Sequence, residues 1–431
     1  MTLRSVSPAA CRVTFLLVAA AWFISSPADE EYRTPRAGEA FTGNVFGHSV
    51  EVRARDRTTH NVLDLAIQLI PDGPDAKRLN PIASIFLWRN RDEGRQRFRA
   101  ILLGIYDSIR YDALPLADNP FELVATFDNV TPPIDRSEYV EGARIRSEEL
   151  RWYQAHAGFG LGYRIPIAPL HQDNHLETSL TYEPGYLWFD RGSKTDPGYV
   201  VPVDTYEGRV HLRFRLDSIE RNPIELPHEG FAVGIDAVHA RRQQWDDWGG
   251  PILGFESGPA GKEWNELSLY AVAAVPFPFV RSERHKLVLS AYGGASANVD
   301  RFSAFRLGGG PTTADWEALS RVVLPGAALD EFYSRAYGTF NVEYRYEMLF
   351  FAYLRVRGTL AQVDRLRFTD QGGVVSRVEG MNALSIGVTS GFFVRSQLEL
   401  AYTYNFGILR QRGGVGKAGD GAILLHWAKK F

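Results

Sequence analysis

Glu343, Arg345, Arg355 and Arg357 are all odd-numbered, and they sit in two strand-like runs, "NVEYRYE" and "FAYLRVRG", joined by a tight link at 347–349. Alternate side chains of an extended chain share a face, so the four charges gather as three guanidinium groups around one carboxylate. Such a group acts by electrostatics and breaks no bonds. Two readings stay open: a polar seat that holds an inserted segment, or ion pairing that keeps buried charge compensated.

Bond-making chemistry is poorly represented. "GKAG" (416–419) resembles part of a phosphate-binding loop, but Gln411 stands where a glycine is needed and Ala418 where Ser or Thr is needed. "GFGLG" (158–162) lies within a strand-like run and is not a dinucleotide fingerprint. There is no HExxH, the ten histidines show no metal-ligand spacing, and no local arrangement selects a Ser-His-Asp triad. No enzyme, no cofactor and no metal centre is expected.

The elements that carry these residues begin after a leader. Residues 1–28 place Arg4 and Arg12 before an apolar run from Val13 to Ile24, then small residues, with Ser26 and Ala28 suited to a cleavage site. About twelve apolar residues fall short of the ~20 needed to span a bilayer. Removing 28 of 431 residues leaves 403, takes away the single cysteine, Cys11, and moves the net charge from −3 to −5 by loss of two arginines. That balance excludes nucleic acid as a partner. No later stretch is apolar enough for a membrane helix, yet aromatics make up 13% of the chain and glycines number 40.

Alternation explains the combination. "GRVHLRFRLD" sets Val210, Leu212, Phe214 and Leu216 against Arg209, His211, Arg213 and Arg215, and "LELAYTYNF" sets Leu398, Leu400, Tyr402, Tyr404 and Phe406 against Glu399, Thr403 and Asn405. The runs reach about ten residues, the length a tilted strand needs to cross a membrane. Backbone groups in lipid are satisfied only when such strands close. The fold class is therefore all-β, a transmembrane antiparallel β-barrel of 14–16 strands, with 16 favoured. Fourteen runs are placed from 81–91 and 95–112 through 376–390 and 395–408 to 418–431. Residues 29–80 are a short periplasmic piece or hold the first strands, "SVEVRARD" (49–56) and "VLDLAIQLI" (62–70), and 81–431 form the barrel. "QRGGVGKAGDG" reads as an outer loop. Ile423, Leu425, Trp427 and Phe431 form one apolar row ending on an aromatic, the terminal signal by which barrel assembly machinery takes up such chains. The expected location is the outer membrane of a Gram-negative-type bacterium, with lipid as the first partner.

Residues 302–331 break the alternation for longer than any other link, and a loop of that length is usually functional. Phe305, Arg306, Leu307, Gly308, Gly309 and Gly310 open it. The order "FRLGGG", long loop, "NVEYRYE", "RGTLAQVDR", terminal aromatic resembles the bacterial surface antigen family, the outer-membrane protein insertases of BamA and TamA type. The resemblance is clearest over about 300–431. It implies sixteen strands, with the long loop after the eleventh folding into the lumen. It also implies a loop tip of Arg-Gly-aromatic type docked on acidic lumen groups. That tip is absent here; Arg321 is the nearest equivalent and Glu343 the nearest acidic partner. Asp364 matches a family aspartate, although alternation from Arg355 and Arg357 points it outward unless a bulge resets the register. Residues 29–80 are too few for a POTRA domain, so the chain reads as a barrel-only member. A POTRA-bearing or chaperone protein would then be a separate partner.

The resemblance implies assistance in assembling or translocating outer-membrane or surface proteins, by pairing of client strands at a weak first–last seam. The alternatives are a passive, porin-like conduit lined by Arg209, Arg213, Arg215, Arg355 and Arg357, or a plugged structural barrel.

Overall fold

The computed structural model describes residues 38–431 except 46–47, 76, 116–118, 171–172, 222–224, 257, 259, 312–315, 350, 372, 391–394 and 413–414. The expected leader, 1–28, lies outside the described residues.

Among the described residues, sixteen antiparallel strands close into a barrel. The first half is β1 (Thr59–Leu69), β2 (Leu79–Arg91), β3 (Gln96–Leu102), β4 (Tyr106–Ala113), β5 (Phe121–Val130), β6 (Leu150–Pro166), β7 (His175–Arg191) and β8 (Thr205–Asp217). The second is β9 (Gly230–Arg242), β10 (Glu263–Pro276), β11 (His285–Ala297), β12 (Ala336–Leu349), β13 (Ala352–Phe368), β14, β15 (Ser396–Arg412) and β16 (Val415–Lys430). β14 is interrupted: its two runs, Val374–Gly380 and Ala383–Ser390, pair with opposite ends of β13 and count as one strand.

Alternation sorts the two faces. On β15, Leu398, Leu400, Tyr402 and Phe406 are exposed and form part of the outer belt, while Gln397, Glu399 and Asn405 are buried inside. An apolar belt around a closed barrel with a polar interior is the pattern of an outer-membrane protein. Short turns gather at one end, such as the tight β12–β13 connection, and most long links gather at the other. That asymmetry sets the short-turn end in the periplasm.

The number sixteen arises by a route the sequence did not indicate. Residues 95–112, expected as one strand, are the hairpin β3–β4. Gly104 turns at φ +78°, and the Asp107 carboxylate accepts the amide hydrogens of Leu103 (3.0 Å) and Gly104 (2.8 Å). Apolar residues on both sides concealed that turn. "VLDLAIQLI" falls in β1, whereas "SVEVRARD" stays out of the barrel and contributes to a separate hairpin, Phe41–Val45 with His48–Val52. "QRGGVGKAGDG", expected as a loop, is mostly strand, because β15 and β16 continue as a ladder up to Arg412↔Val415.

The hairpin and the segment after it lie across the short-turn end. Arg57 donates to Asp173 in the β6–β7 turn (Nε, 2.8 Å), Arg55 pairs with Glu225 in the β8–β9 turn, and Phe41 meets Phe351 of the β12–β13 turn edge-on at 5.0 Å.

Closure is made by β16 against β1. They pair from Ile423↔Leu69 to Lys430↔Val62, eight residues on each side. β16 pairs with β15 along both ends of its length. Its first half, Val415–Ala422, stays paired with β15 but runs on past the end of β1.

Candidate functional site: the in-folded loop and the wall it touches

The link between β11 and β12 turns inward. Asp300 begins it, accepting from the amides of Phe302 (2.9 Å) and Ser303 (3.1 Å) while Arg242 of β9 donates to its other oxygen (2.5 Å). Phe302 then enters a buried aromatic cluster. Its ring centroid lies 4.8 Å from that of Phe189, 4.9 Å from Trp248 and 5.6 Å from Trp152. This cluster caps the long-link end of the lumen.

Below the cap the loop runs as two limbs. Phe305–Leu307 pairs antiparallel with Phe332–Ser334. Arg306 reaches back to Glu138 in the β5–β6 link with two parallel bonds, 2.8 and 2.9 Å, the strongest geometry for such a pair. Burial by itself would push the Glu138 carboxyl up, but the Arg306 charge outweighs it and holds it down at about 2. The glycines that follow serve close approach within the loop. A Cβ on Gly308 would lie 2.4 Å from Ala328 O, and one on Gly309 2.0 Å from Ala327 O. Of the three, only Gly310 has a left-handed backbone, φ +135°.

The returning limb is tied to strands on both sides of β16. Gln68 of β1 donates to Ala327 O (2.7 Å), and Asn405 of β15 donates to Pro325 O (2.8 Å). Arg410, also on β15, pairs with Glu331 of the limb and with Asp420 of β16 (2.7 Å).

Arg321 is the expected tip residue; among the described residues, Trp316 and Glu317 are the ones that dock on arginines of the wall. The Trp316 ring lies between the guanidinium groups of Arg99 (5.4 Å) and Arg213 (5.1 Å). Glu317 pairs with Arg213, lies 3.7 Å from Arg215, and accepts from Ser320 (2.5 Å). An aromatic and a carboxylate therefore dock on arginines, the charge reverse of the arginine tip that the resemblance implied. Arg321 instead lines a small cavity of about 30 Å³ together with Arg357.

Glu343, Arg345, Arg355 and Arg357 do come together. Arg345 pairs with Glu343, and Arg355 and Arg357 reach the other carboxylate oxygen at 2.8 and 3.0 Å. The group extends further than the sequence suggested. Arg355 also bonds Glu399 of β15 (2.8 Å), and His426 of β16 lies between Glu399 (3.8 Å) and Asp64 of β1 (2.8 Å). The chain of charges thus crosses the closure from inside. Between this wall and loop residues Gly310, Val323, Pro325 and Gly326 lies a cavity of about 60 Å³.

Asp364 is not part of the group. The β12–β13 register runs unbroken from Tyr337↔Val363 to Glu347↔Tyr353, so no bulge resets it. Asp364 stands opposite Val378, which is 65% exposed, and pairs with Arg335 (3.0 Å) and Ser376 away from the lumen. Ile423, Leu425 and Trp427 face outward in the belt, and Phe431 is 64% exposed at its lower edge.

The arginines proposed for an anion conduit all have carboxylate partners: Arg209 with Glu207 (2.7 Å), Arg213 with Glu317, Arg215 with Asp236 (2.6 Å), and Arg355 and Arg357 with Glu343. Elsewhere Asp112, Glu122 and Glu177 converge as a metal site would, but Arg97 Nη2 sits among them at 3.2, 3.5 and 2.7 Å, and Arg99, Arg110 and Arg164 pair with the same carboxylates, so arginines supply the counter-charge.

No protein-family model matches the chain, and none of the curated proteins does. Among solved structures it is similar to BamA from Haemophilus ducreyi lacking POTRA domains 1–3, at 10% identity and TM-score 0.48 over 90% of this chain and 75% of that one. It is also similar to CdiB from Escherichia coli, at 13% identity and TM-score 0.44 over 92% and 68%. The CymD monoaromatic hydrocarbon channel follows at 10% and 0.35 over 88% and 89%. Likenesses this distant assign no activity to the chain.

Proposed function

We propose that this outer-membrane barrel assists the assembly or translocation of outer-membrane or surface polypeptides through its partly zipped closure. One observation carries the reading: among the described residues, the β16–β1 ladder covers Ile423–Lys430, and Val415–Ala422 extends beyond β1. An extended segment of a client can start on such an edge by main-chain pairing and continue along β16 as β1 parts from it. The loop limb held by Gln68 and Asn405 braces the strands on either side of that edge. A passive anion conduit is less well supported, because an inserted loop occupies the lumen and the wall arginines are engaged by carboxylates.

The test is a disulfide across the closure. Leu65 and Trp427 are register partners, so Leu65→Cys with Trp427→Cys forms a covalent bar on oxidation. Quantitative outer-membrane proteomics of cells carrying the barred chain should match that of cells lacking the chain, with selective loss of other barrels or surface proteins. A full client complement with the bar closed would rule the reading out and favour a structural barrel.

A further inference from the structure

Where the barrel closes, its rim at the short-turn end holds a groove of about 630 Å³. Its walls come from both sides of the closure. Val50, Val52 and Arg53 belong to the segment leading into β1, Lys430 and Phe431 end the chain of β16, and Arg395 lies in the turn before β15. Phe431 continues the outward row of Leu425 and Trp427. The groove therefore opens where the lipid belt meets the periplasm, and by position its neighbour is a phospholipid of the inner leaflet.

The charges select which phospholipid. The side chains of Arg53 and Arg395 make no hydrogen bond or ion pair among the described residues. Lys430 gives one bond to Asp56 O at 3.1 Å, leaving further donors on its ammonium. Two side-chain carboxylates, Glu51 and Asp56, also line the groove, and Phe431 brings its terminal carboxylate to it. Asp56 is already engaged by the amide (2.8 Å) and hydroxyl (2.7 Å) of Thr58. Two uncommitted guanidinium groups beside an apolar wall suit a phosphodiester with its acyl chains alongside.

We propose that this groove binds the phosphate of an anionic phospholipid, with its acyl chains against Phe431, and that the bound lipid clasps the two sides of the closure. The full chain, placed in bilayer discs of phosphatidylcholine alone or with phosphatidylglycerol, is measured by native mass spectrometry. One phosphatidylglycerol should be retained selectively. Arg53→Ala with Arg395→Ala should weaken that retention about tenfold, while Arg53→Lys with Arg395→Lys keeps most of it. Should the double alanine variant not insert, Arg395→Ala alone, at an exposed residue, carries the same comparison. Equal retention of the two lipids, or undiminished retention in the alanine variants, would overturn the proposal. Displacement by soluble glycerol phosphate at equal concentration would do so too, by assigning the groove to a free phosphate.

Discussion

Replacing Glu317 with alanine removes the carboxylate that fixes the loop tip. Arg215 keeps Asp236, so the charge left exposed is that of Arg213, which among the described residues of the tip retains the face of Trp316. The Arg213 and Glu317 side chains are 11% and 18% exposed, between a dry core and a surface. Breaking a dry buried pair costs ~3–5 kcal/mol, and an exposed pair is worth under ~1 kcal/mol. A wet lumen lies between, at about 2–3 kcal/mol. At about 1.4 kcal/mol per factor of ten, the docked-to-undocked ratio of the tip falls roughly 30- to 160-fold. Hydrogen exchange of amides in 316–328 reads that ratio, and planar-bilayer recordings of the same variant should show opening events. The exchange of charges, Arg213→Glu with Glu317→Arg, should restore much of the protection, since the coupling belongs to the pair. If Glu317→Ala leaves exchange within twofold of the parent, or the swap exchanges as fast as the single changes, the tip is held by something other than this pair.

Three further outcomes are expected. The Arg306–Glu138 tie has a carboxyl at about 2 against 4.5 unperturbed. It therefore contributes in full above pH 4.5, weakens below that and is gone once pH falls through about 2, on the order of 3 kcal/mol in all; protease protection of 131–149 should follow that curve and lose it in Glu138→Gln. His426→Phe leaves Asp64 and Glu399 buried without the group between them and should cost about 2–4 kcal/mol, read as earlier loss of the folded barrel's gel mobility on heating; an unchanged transition means the pair does not brace the closure. Gly309→Ala puts a Cβ within 2.0 Å of Ala327 O, an overpacking worth about 1–3 kcal/mol that should raise exchange in both limbs and, through the Gln68 and Asn405 ties, in the β16–β1 ladder as well.

Period-2 patterning made the barrel legible, because each strand shows lipid one face and water or protein the other. It also grouped Glu343, Arg345, Arg355 and Arg357, which a single tight turn keeps in phase. Two kinds of information were missing. Turns inside apolar runs, as at Gly104, do not interrupt alternation visibly. Contacts between distant strands leave no local pattern, so Glu399, His426 and Asp64 did not stand out. The tip was hidden for a related reason. "ADWEALS" carries an aromatic and an acid, but the resemblance implied an arginine and so pointed to Arg321. Once Arg99, Arg213 and Arg215 are known to line the opposite wall, an acidic tip is what electrostatic complementarity requires. Asp364 shows the converse: alternation had it facing outward, and the unbroken register agrees.

One limb of the loop is held by Gln68 on one flank of the last strand and by Asn405 on the other. Emptying the lumen and loosening the ring are thus a single thermodynamic transaction. Whatever free energy a ligand or client invests in drawing that limb out must reappear as weaker closure, and a client that parts β1 from β16 must ease the loop's departure by the same factor.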